Sequence, residues 1–519
     1  MKSPLFKLTA PCAPKRRYTR RSSKDLSDKG HNQECEDGAL ELKEYDVIAI
    51  GSGSAMNILD LMIREKADLK AAVIDKDEPG GICLTRGCIP SKILLYPAEL
   101  VRTIERAGEF GIQVDLKNVG FQRVMERMRT LTHREIEAIR HGLSHSRNID
   151  YYPTVAEFVG PYTLKVGDQT VRSKMIFLCT GSKPAIPPIE GLESIGYLTS
   201  DTILKMDRLP ESVGIIGGGY IAAEYGHFLS AMGSKVTVIG RNPRFLPEEE
   251  PEVSALAKKE LERNITIVTN HEVRKVEKTS TGKKRLIATD RDGGRPKEVQ
   301  VEEILVAAGR GPNTDILRPE RGGIKTDANG WIVVNEFLET SQPNVWAFGD
   351  ANGKYLFKHA ANYESMVVYY NALLRMKIAV DYHAVPHAVF TYPEIASVGL
   401  REAEAIERYG QDKVLIGMQR YEDTAKGEAM GLHDYFVKVI VEKGTMKILG
   451  AHIIGPYASV LIQEIINVMY TREQSAESVI EAMHIHPALS EVVQRAFNSL
   501  MPVEHYHHIL EHHYGLLPK

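Results

Sequence analysis

Gly80-Gly81-Ile82-Cys83-Leu84-Thr85-Arg86-Gly87-Cys88-Ile89-Pro90-Ser91-Lys92 decides the reading of this chain. Four residues separate its two cysteines, behind a glycine pair and ahead of Pro-Ser-Lys. On a tight turn or a first helical turn, that spacing brings two sulfurs within bonding distance. A helix beginning near Cys88 also presents its positive end to a thiolate and lowers that thiol's pKa. A disulfide closing so short a loop constrains little of the unfolded chain, so stapling the fold explains it poorly. Redox work explains it better than a staple or a pair of reduced, buried thiols.

The chain has 519 residues, more than one hydrophobic core usually serves, so two to four domains are expected. An apolar fraction of 43% suits a globular protein, and a net charge of -3 leaves no electrostatic footprint for nucleic acid. No apolar run is long enough to span a bilayer, so a soluble protein without membrane partners is expected. There are five cysteines, Cys12, Cys35, Cys83, Cys88 and Cys179. So few argue against a secreted disulfide scaffold and for a reducing, cytoplasmic compartment, where a close pair is catalytic rather than structural.

Residues 1–43 read as a disordered tail with a basic cluster at Lys15, Arg16, Arg17, Arg20 and Arg21. At Tyr45 the texture changes. Tyr45 to Ile50 is a short buried strand, Gly51-Ser52-Gly53-Ser54 a glycine turn, and a helix runs on through Arg64. A second strand, Ala71 to Ile74, ends in Asp75. This is a βαβ unit whose helix N-terminus can hold a pyrophosphate, with Asp75 placed for a ribose hydroxyl pair. Met56 stands where the third fingerprint glycine is usual.

A second unit lies far downstream: strand Ser212 to Ile216, loop Gly217-Gly218-Gly219-Tyr220-Ile221-Ala222, helix Ala223 to Met232 and strand Lys235 to Ile239. That strand ends in Gly240-Arg241, with Arg244 close behind, rather than in an acid. An acid would repel a ribose 2′-phosphate, whereas glycine and two arginines favour one, as does Ala222 in place of the third glycine. NADPH is therefore expected over NADH. Two dinucleotide units with a redox cysteine pair after the first describe an electron path from nicotinamide to flavin to disulfide.

These motifs resemble the pyridine nucleotide-disulfide oxidoreductases, the family of dihydrolipoamide dehydrogenase, glutathione reductase, mycothione reductase and mercuric reductase. The likeness runs from about Tyr45 to Met501 and includes Cys179-Thr180-Gly181-Ser182-Lys183-Pro184 and Ala308-Gly309-Arg310-Gly311-Pro312-Asn313. Downstream it takes in Val345 to Asp350, Lys358-His359-Ala360-Ala361 and His486-Pro487-Ala488-Leu489-Ser490-Glu491. The resemblance implies an α/β fold with two Rossmann-like domains, for FAD and NAD(P), and a C-terminal α/β dimerisation domain. FAD-domain residues would be 44–198 and 316–384, NAD(P)-domain residues 199–315, interface residues 385–501, and 502–519 a His-rich tail. Strands at Tyr435 to Val441 and Ile448 to Ile454 and helices at Ser459 to Tyr470 and Leu489 to Leu500 are expected in the interface domain.

The same resemblance assigns roles. Cys88 would be the thiolate facing the flavin and Cys83 the interchange thiol. Lys92 would sit beside the flavin ring, its cation favouring the reduced, anionic form, and Glu224 would pair with it. Gly51, Gly53, Ser54, Asp75, Thr180, Gly181, Gly349, Asp350, His359 and Ala360 would hold FAD. Gly217, Gly219, Tyr220, Ala222, Arg241, Arg244 and Gly309 would hold NAD(P), Tyr220 covering the empty nicotinamide pocket. His486, oriented by Glu491, would protonate the departing thiolate, and His484 is its rival within the motif. In relatives that pair comes from the partner subunit, so a homodimer with shared active sites is implied. No resident metal is expected.

The sequence also departs from the family pattern. Thr85-Arg86 replaces the usual Asn-Val, and Arg86 would tune a thiol, contact substrate or stay solvated. Leu61 stands where glutathione reductases carry a substrate-binding arginine. The absence of cysteine after Cys179 argues against mercuric reductase and against a thioredoxin reductase with a C-terminal redox pair. Cys-Ile-Pro-Ser-Lys and the His-Pro-Ala-Leu-Ser-Glu segment look like dihydrolipoamide dehydrogenase, whereas Gly51 to Asp60 and Lys358 to Asn362 are closer to mycothione reductase. A small disulfide or a lipoyl group is the expected substrate. The rival classes are an NAD(P)H diaphorase or oxidase and a non-catalytic flavoprotein subunit. His505, His508 and His512 would share one helical face, but a polar tail is favoured over a metal site.

Overall fold

Val47–Ile50 is four apolar residues long and buried throughout, as the middle strand of a parallel sheet must be. The computed structural model describes residues 42–511. In it Val47–Ile50 lies between Ala71–Ile74 and Ile176–Leu178, with Ile149–Tyr152 and Val345–Ala347 at the two edges. All these pairings are parallel. The helix Ala55–Glu65 crosses from the first strand to the second and buries Ala55, Ile58, Leu59 and Met62 at helical spacing. Leu42–Glu44, whose first two residues fall in the expected tail, pairs in parallel with Gln169–Arg172 on a small second sheet.

The same plan is built a second time. Ser212–Ile216 lies between Lys235–Ile239 and Glu303–Val306, with Thr266–Val268 and Leu198–Thr199 at the edges. An antiparallel three-stranded insert, His271–Lys278, Lys284–Asp290 and Lys297–Val301, joins Thr266–Val268 to Glu303–Val306. Leu192 precedes the expected start of this domain at residue 199, yet it packs into the core with Ile216, Ile239 and Leu286. The helix begins at Tyr220 rather than Ala223, because Gly219 is extended and the chain turns helical at once.

The third layer is an antiparallel sheet in the order Pro386–Val389, Ile395–Gly399, Ile448–Ile454, Phe436–Glu442, Val414–Arg420, Met501–Pro502. Helices Ala458–Met469 and Ser490–Asn498 pack on it. The expected polar tail needs correction within the described residues. Val503–Ile509 is a helix, and Val503, Tyr506 and Leu510 are buried at helical spacing while His505 and His508 point outward. His512 and His513 lie outside the described residues.

This terminal helix covers a buried ion cluster. The Lys438 ammonium, wholly enclosed, lies 2.8 Å from Glu250, 2.9 Å from Glu252 and 2.7 Å from Glu402. Tyr506 donates to Glu252 at 2.8 Å and turns its ring toward Lys438. Three converging carboxylates are a metal-like set, but the lysine itself supplies the cation they need. Glu250 and Glu252 come from the second dinucleotide unit, Lys438 from the interface sheet and Glu402 from the start of the helix Glu402–Tyr409. A Lys438→Met change strands three buried acids and is expected to cost about 3–5 kcal/mol in denaturant unfolding. Burial opposes ionisation of Glu250, yet Lys438 outweighs it and draws the carboxyl down to about 2. Its unfolded value is about 4.3, so its contribution is complete above that pH and is lost as pH falls toward 2. The acid limb of a stability–pH curve should therefore flatten in Glu250→Gln.

Candidate active site

Each dinucleotide unit places its first loop glycine where no other residue fits. Gly51 has φ +100°, and a Cβ there would strike the Cys179 carbonyl oxygen at the end of the neighbouring strand. Gly217 has φ +137° and is closed off in the same way by the Ala307 carbonyl. The glycine pair ahead of the redox cysteines has a matching cause. Gly81 has φ +72° and packs so closely on the first loop that a Cβ would come within 2.7 Å of the Gly53 Cα. Ser52 completes the joint: its amide and hydroxyl donate to Asp75 at 2.8 and 2.6 Å, and it accepts from the Gly80 amide at 2.9 Å.

A cavity of about 510 Å³ follows from this joint. Gly51, Gly53, Ser54 and Asp75 line it, and so do Cys83, Cys88, Lys92 and Glu224. Thr180, Gly181, Gly349, Asp350 and His359 line it as well. Ala360 does not; it is buried inside its helix, and Ala361 faces the space instead. The lining fits FAD. The Thr180 hydroxyl is buried without a partner, and Asp350 is enclosed beside Ser182, its carboxyl pushed up by burial. Lys358, within a quoted motif but given no role from sequence, also lines the cavity and donates to Ser54 at 2.9 Å.

Cys88 opens the helix Cys88–Glu105, and Lys92 follows one turn later on the same face. Lys92 meets both Glu224 oxygens, at 2.9 and 2.8 Å. Glu224 is buried and also accepts the Phe390 amide at 3.0 Å, while the Lys92 ammonium lies 4.6 Å from the Phe390 ring centre. The two thiols are made unlike. A hydrogen bond from Cys83 draws Cys88 down to about 7, with the Lys92 charge helping against burial. The same hydrogen bond, together with burial, holds Cys83 well above the ordinary thiol range. Burial likewise pushes up the Cys179 thiol. Arg86 is neither free nor turned to the thiols: it bridges Asp77 at 2.5 Å and Asp201 at 3.2 Å. It thereby ties the redox turn to both dinucleotide units.

A second cavity, about 1210 Å³, opens over the second glycine loop and is lined by Gly217, Gly219, Tyr220, Arg241 and Gly309. Ala222 is buried inside the helix, where its small side chain permits close packing. Arg244 lies exposed outside the cavity, so of the two expected phosphate partners only Arg241 reaches it. Arg274 and His271, from the antiparallel insert, line the same space and had no signal in the glycine fingerprint. Tyr220 and Phe357 belong to both cavities, with ring centres 6.3 Å apart, and form part of the wall between them.

His486 bonds Glu491 through Nδ1 at 3.0 and 3.2 Å, and that bond holds the Glu491 carboxyl below its usual range. Its rival His484 is 6% exposed and tied to Glu464 at 2.7 Å, whereas the His486 side chain is 67% exposed. Neither His486 nor Glu491 lines the cavity holding Cys83 in the same chain. Met483 and Ile485, just before them, are among the most exposed apolar side chains described.

Residues 45–371 match the pyridine nucleotide-disulphide oxidoreductase family, and residues 385–497 match its dimerisation domain. The chain belongs to this family. It is 35% identical over 474 residues to mycothione reductase of Mycobacterium tuberculosis, covering 88% of this chain and 100% of the relative. It is 34% identical over 475 residues to dihydrolipoyl dehydrogenase of Synechocystis, covering 88% and 98%. Among solved structures it resembles the Cu(II) complex of the HOCl-induced flavoprotein disulfide reductase RclA from Escherichia coli. That likeness has a TM-score of 0.77 at 26% identity and covers 88% of this chain and 99% of that one. The protein is thus an FAD-dependent NAD(P)H disulfide oxidoreductase, and its dimerisation domain supports pairing of two copies. No described helix is long and apolar enough to cross a membrane.

Two outcomes follow from the geometry. Gly51→Ala forces a side chain into φ +100° against a carbonyl, at a cost of about 1–3 kcal/mol, and should be purified with less flavin per chain. In the reduced protein the first thiol to ionise should titrate near pH 7 by alkylation rate or thiolate absorbance. Cys88→Ser should move that midpoint to about 8.5 or above.

Proposed function

We propose that the enzyme uses NADPH to reduce a small disulfide through Cys83 and Cys88, in the manner of the mycothione reductase branch, in the cytoplasm. The observation that carries this reading is the Cys83–Cys88 pair on the wall of the cavity under the first glycine loop, which shares Tyr220 and Phe357 with the cavity over the second. FAD, when bound, supplies the two-electron relay from NAD(P)H to the disulfide. The chain's own residues do the rest. Lys92, fixed by Glu224, places a cation beside the bound ring, and Cys88 keeps its sulfur anionic at the helix N-terminus. His486 of the second copy takes the proton from Cys83, which attacks the substrate disulfide and keeps one half as a mixed disulfide. His486 gives that proton to the departing thiolate, and Cys88 then attacks Cys83, closing the Cys83–Cys88 disulfide and releasing the second half. Glu491 orients that histidine through Nδ1, which leaves Nε2 to face the sulfur.

Arg241 in the second cavity, with no acid at the end of its strand, favours the 2′-phosphate of NADPH. The second reading is a dihydrolipoyl dehydrogenase, favoured by the His486–Glu491 segment and by the 34% identity to that enzyme of Synechocystis. Turnover with NADPH and NADH against lipoamide, glutathione disulfide, mycothiol disulfide and coenzyme A disulfide separates the two. NADPH preference with a low-molecular-weight thiol disulfide supports the first reading. Fast NAD-linked oxidation of dihydrolipoamide overturns it. His486→Gln should lower disulfide turnover by roughly 10²–10⁴ while leaving flavin reduction by NAD(P)H in place. Mixed dimers of Cys83→Ser and His486→Gln chains, each inactive alone, should regain activity; if they stay inactive, the site is not shared between subunits.

A further inference from the structure

The wall between the two cavities carries a histidine that the family motifs do not assign. His387 lines both spaces, on the strand Pro386–Val389. Its ring stacks on Phe357, centres 5.9 Å apart and planes 5° from parallel, and Phe357 stacks in turn on His359 at 5.4 Å and 8°. Its Nε2 bonds the buried carboxylate of Glu249 at 2.7 Å, and Glu249 is fixed from its other side by the Ser397 hydroxyl at 2.7 Å. His387 thus sits in the wall as one ring of a three-ring stack, with its Nε2 committed to Glu249.

We propose that His387 is a specificity-determining residue that makes the second cavity prefer reduced over oxidised nicotinamide, resting on the reading that this cavity holds NAD(P)H. The two forms differ by one charge at the ring: dihydronicotinamide is neutral and oxidised nicotinamide is a cation. A charged His387 offsets the Glu249 carboxylate, so the wall does not draw the cation in; a neutral His387 leaves the Glu249 charge unopposed, which favours the oxidised ring. Product is thereby released and the cycle is biased toward consuming NAD(P)H. Burial works against charge on His387, but the Glu249 bond outweighs it, so the pKa lies above the ordinary value. The groups facing it are Glu249 and Glu248 from the loop before helix Pro251–Leu261, and His359 beyond Phe357. His452 acts on Glu249 from the adjacent strand, and Arg310 lines the same wall.

The test is the ratio of the product-inhibition constant for NADP⁺ to the KM for NADPH, measured in the FAD-loaded dimer from pH 6 to 9. In the natural protein this ratio should be high at low pH and fall as His387 loses its proton. His387→Thr should lower it by roughly three- to tenfold at low pH and leave it flat with pH. Glu249→Gln should keep the fall but shift it to lower pH, which a purely structural role for the pair would not do. A ratio unchanged in both variants overturns the proposal. If instead neither nicotinamide reduces the flavin in the natural protein, the reading of the cavity fails, and that outcome is separate from the ratio.

Discussion

The ion pair of Lys92 with Glu224 holds the reactive centre together. Lys92 belongs to the helix that Cys88 begins, Glu224 to the helix of the second glycine loop, and the Phe390 amide bonded to Glu224 follows the first strand of the interface domain. One carboxylate therefore registers three parts of the chain beside Cys88. Breaking such a pair from one side leaves a buried charge without a partner, which costs far more than the pair contributes. The geometry is consequently specified rather than merely favoured.

Two further ionic contacts act between the same units. Glu249 holds His387 and Ser397, and Glu250 and Glu252 hold Lys438 with help from Tyr506. All three acids come from the run Glu248-Glu249-Glu250-Pro251-Glu252. These contacts fasten the second dinucleotide unit to the interface sheet.

Much of this was legible in the sequence because it depends on backbone. Gly51, Gly81 and Gly217 occupy positive-φ positions beside a neighbour's backbone, and no other residue type serves there. Cys83, Cys88, Lys92 and Glu224 were legible as spaced motifs, and the structure gathers them on one cavity. What was not legible depends on side chains meeting across domains. Three glutamates of the run 248–252 are buried, which nothing in the neighbouring sequence signals, because their partners Lys438, His387 and Ser397 lie more than a hundred residues away. Arg244 looked equivalent to Arg241 along the chain, but the loop turns it outward. The terminal helix was hidden by its histidines, although Val503, Tyr506 and Leu510 already show helical spacing.

Electrons from nicotinamide are expected to arrive on the Cys83–Cys88 pair. The most direct measurement is a count of free thiols per chain before and after one equivalent of NADPH is added to the oxidised, FAD-loaded protein without oxygen. Two thiols should appear with loss of the nicotinamide absorbance, and none should appear in Cys83→Ser. Consumption of NADPH with no new thiols in the natural protein would contradict it.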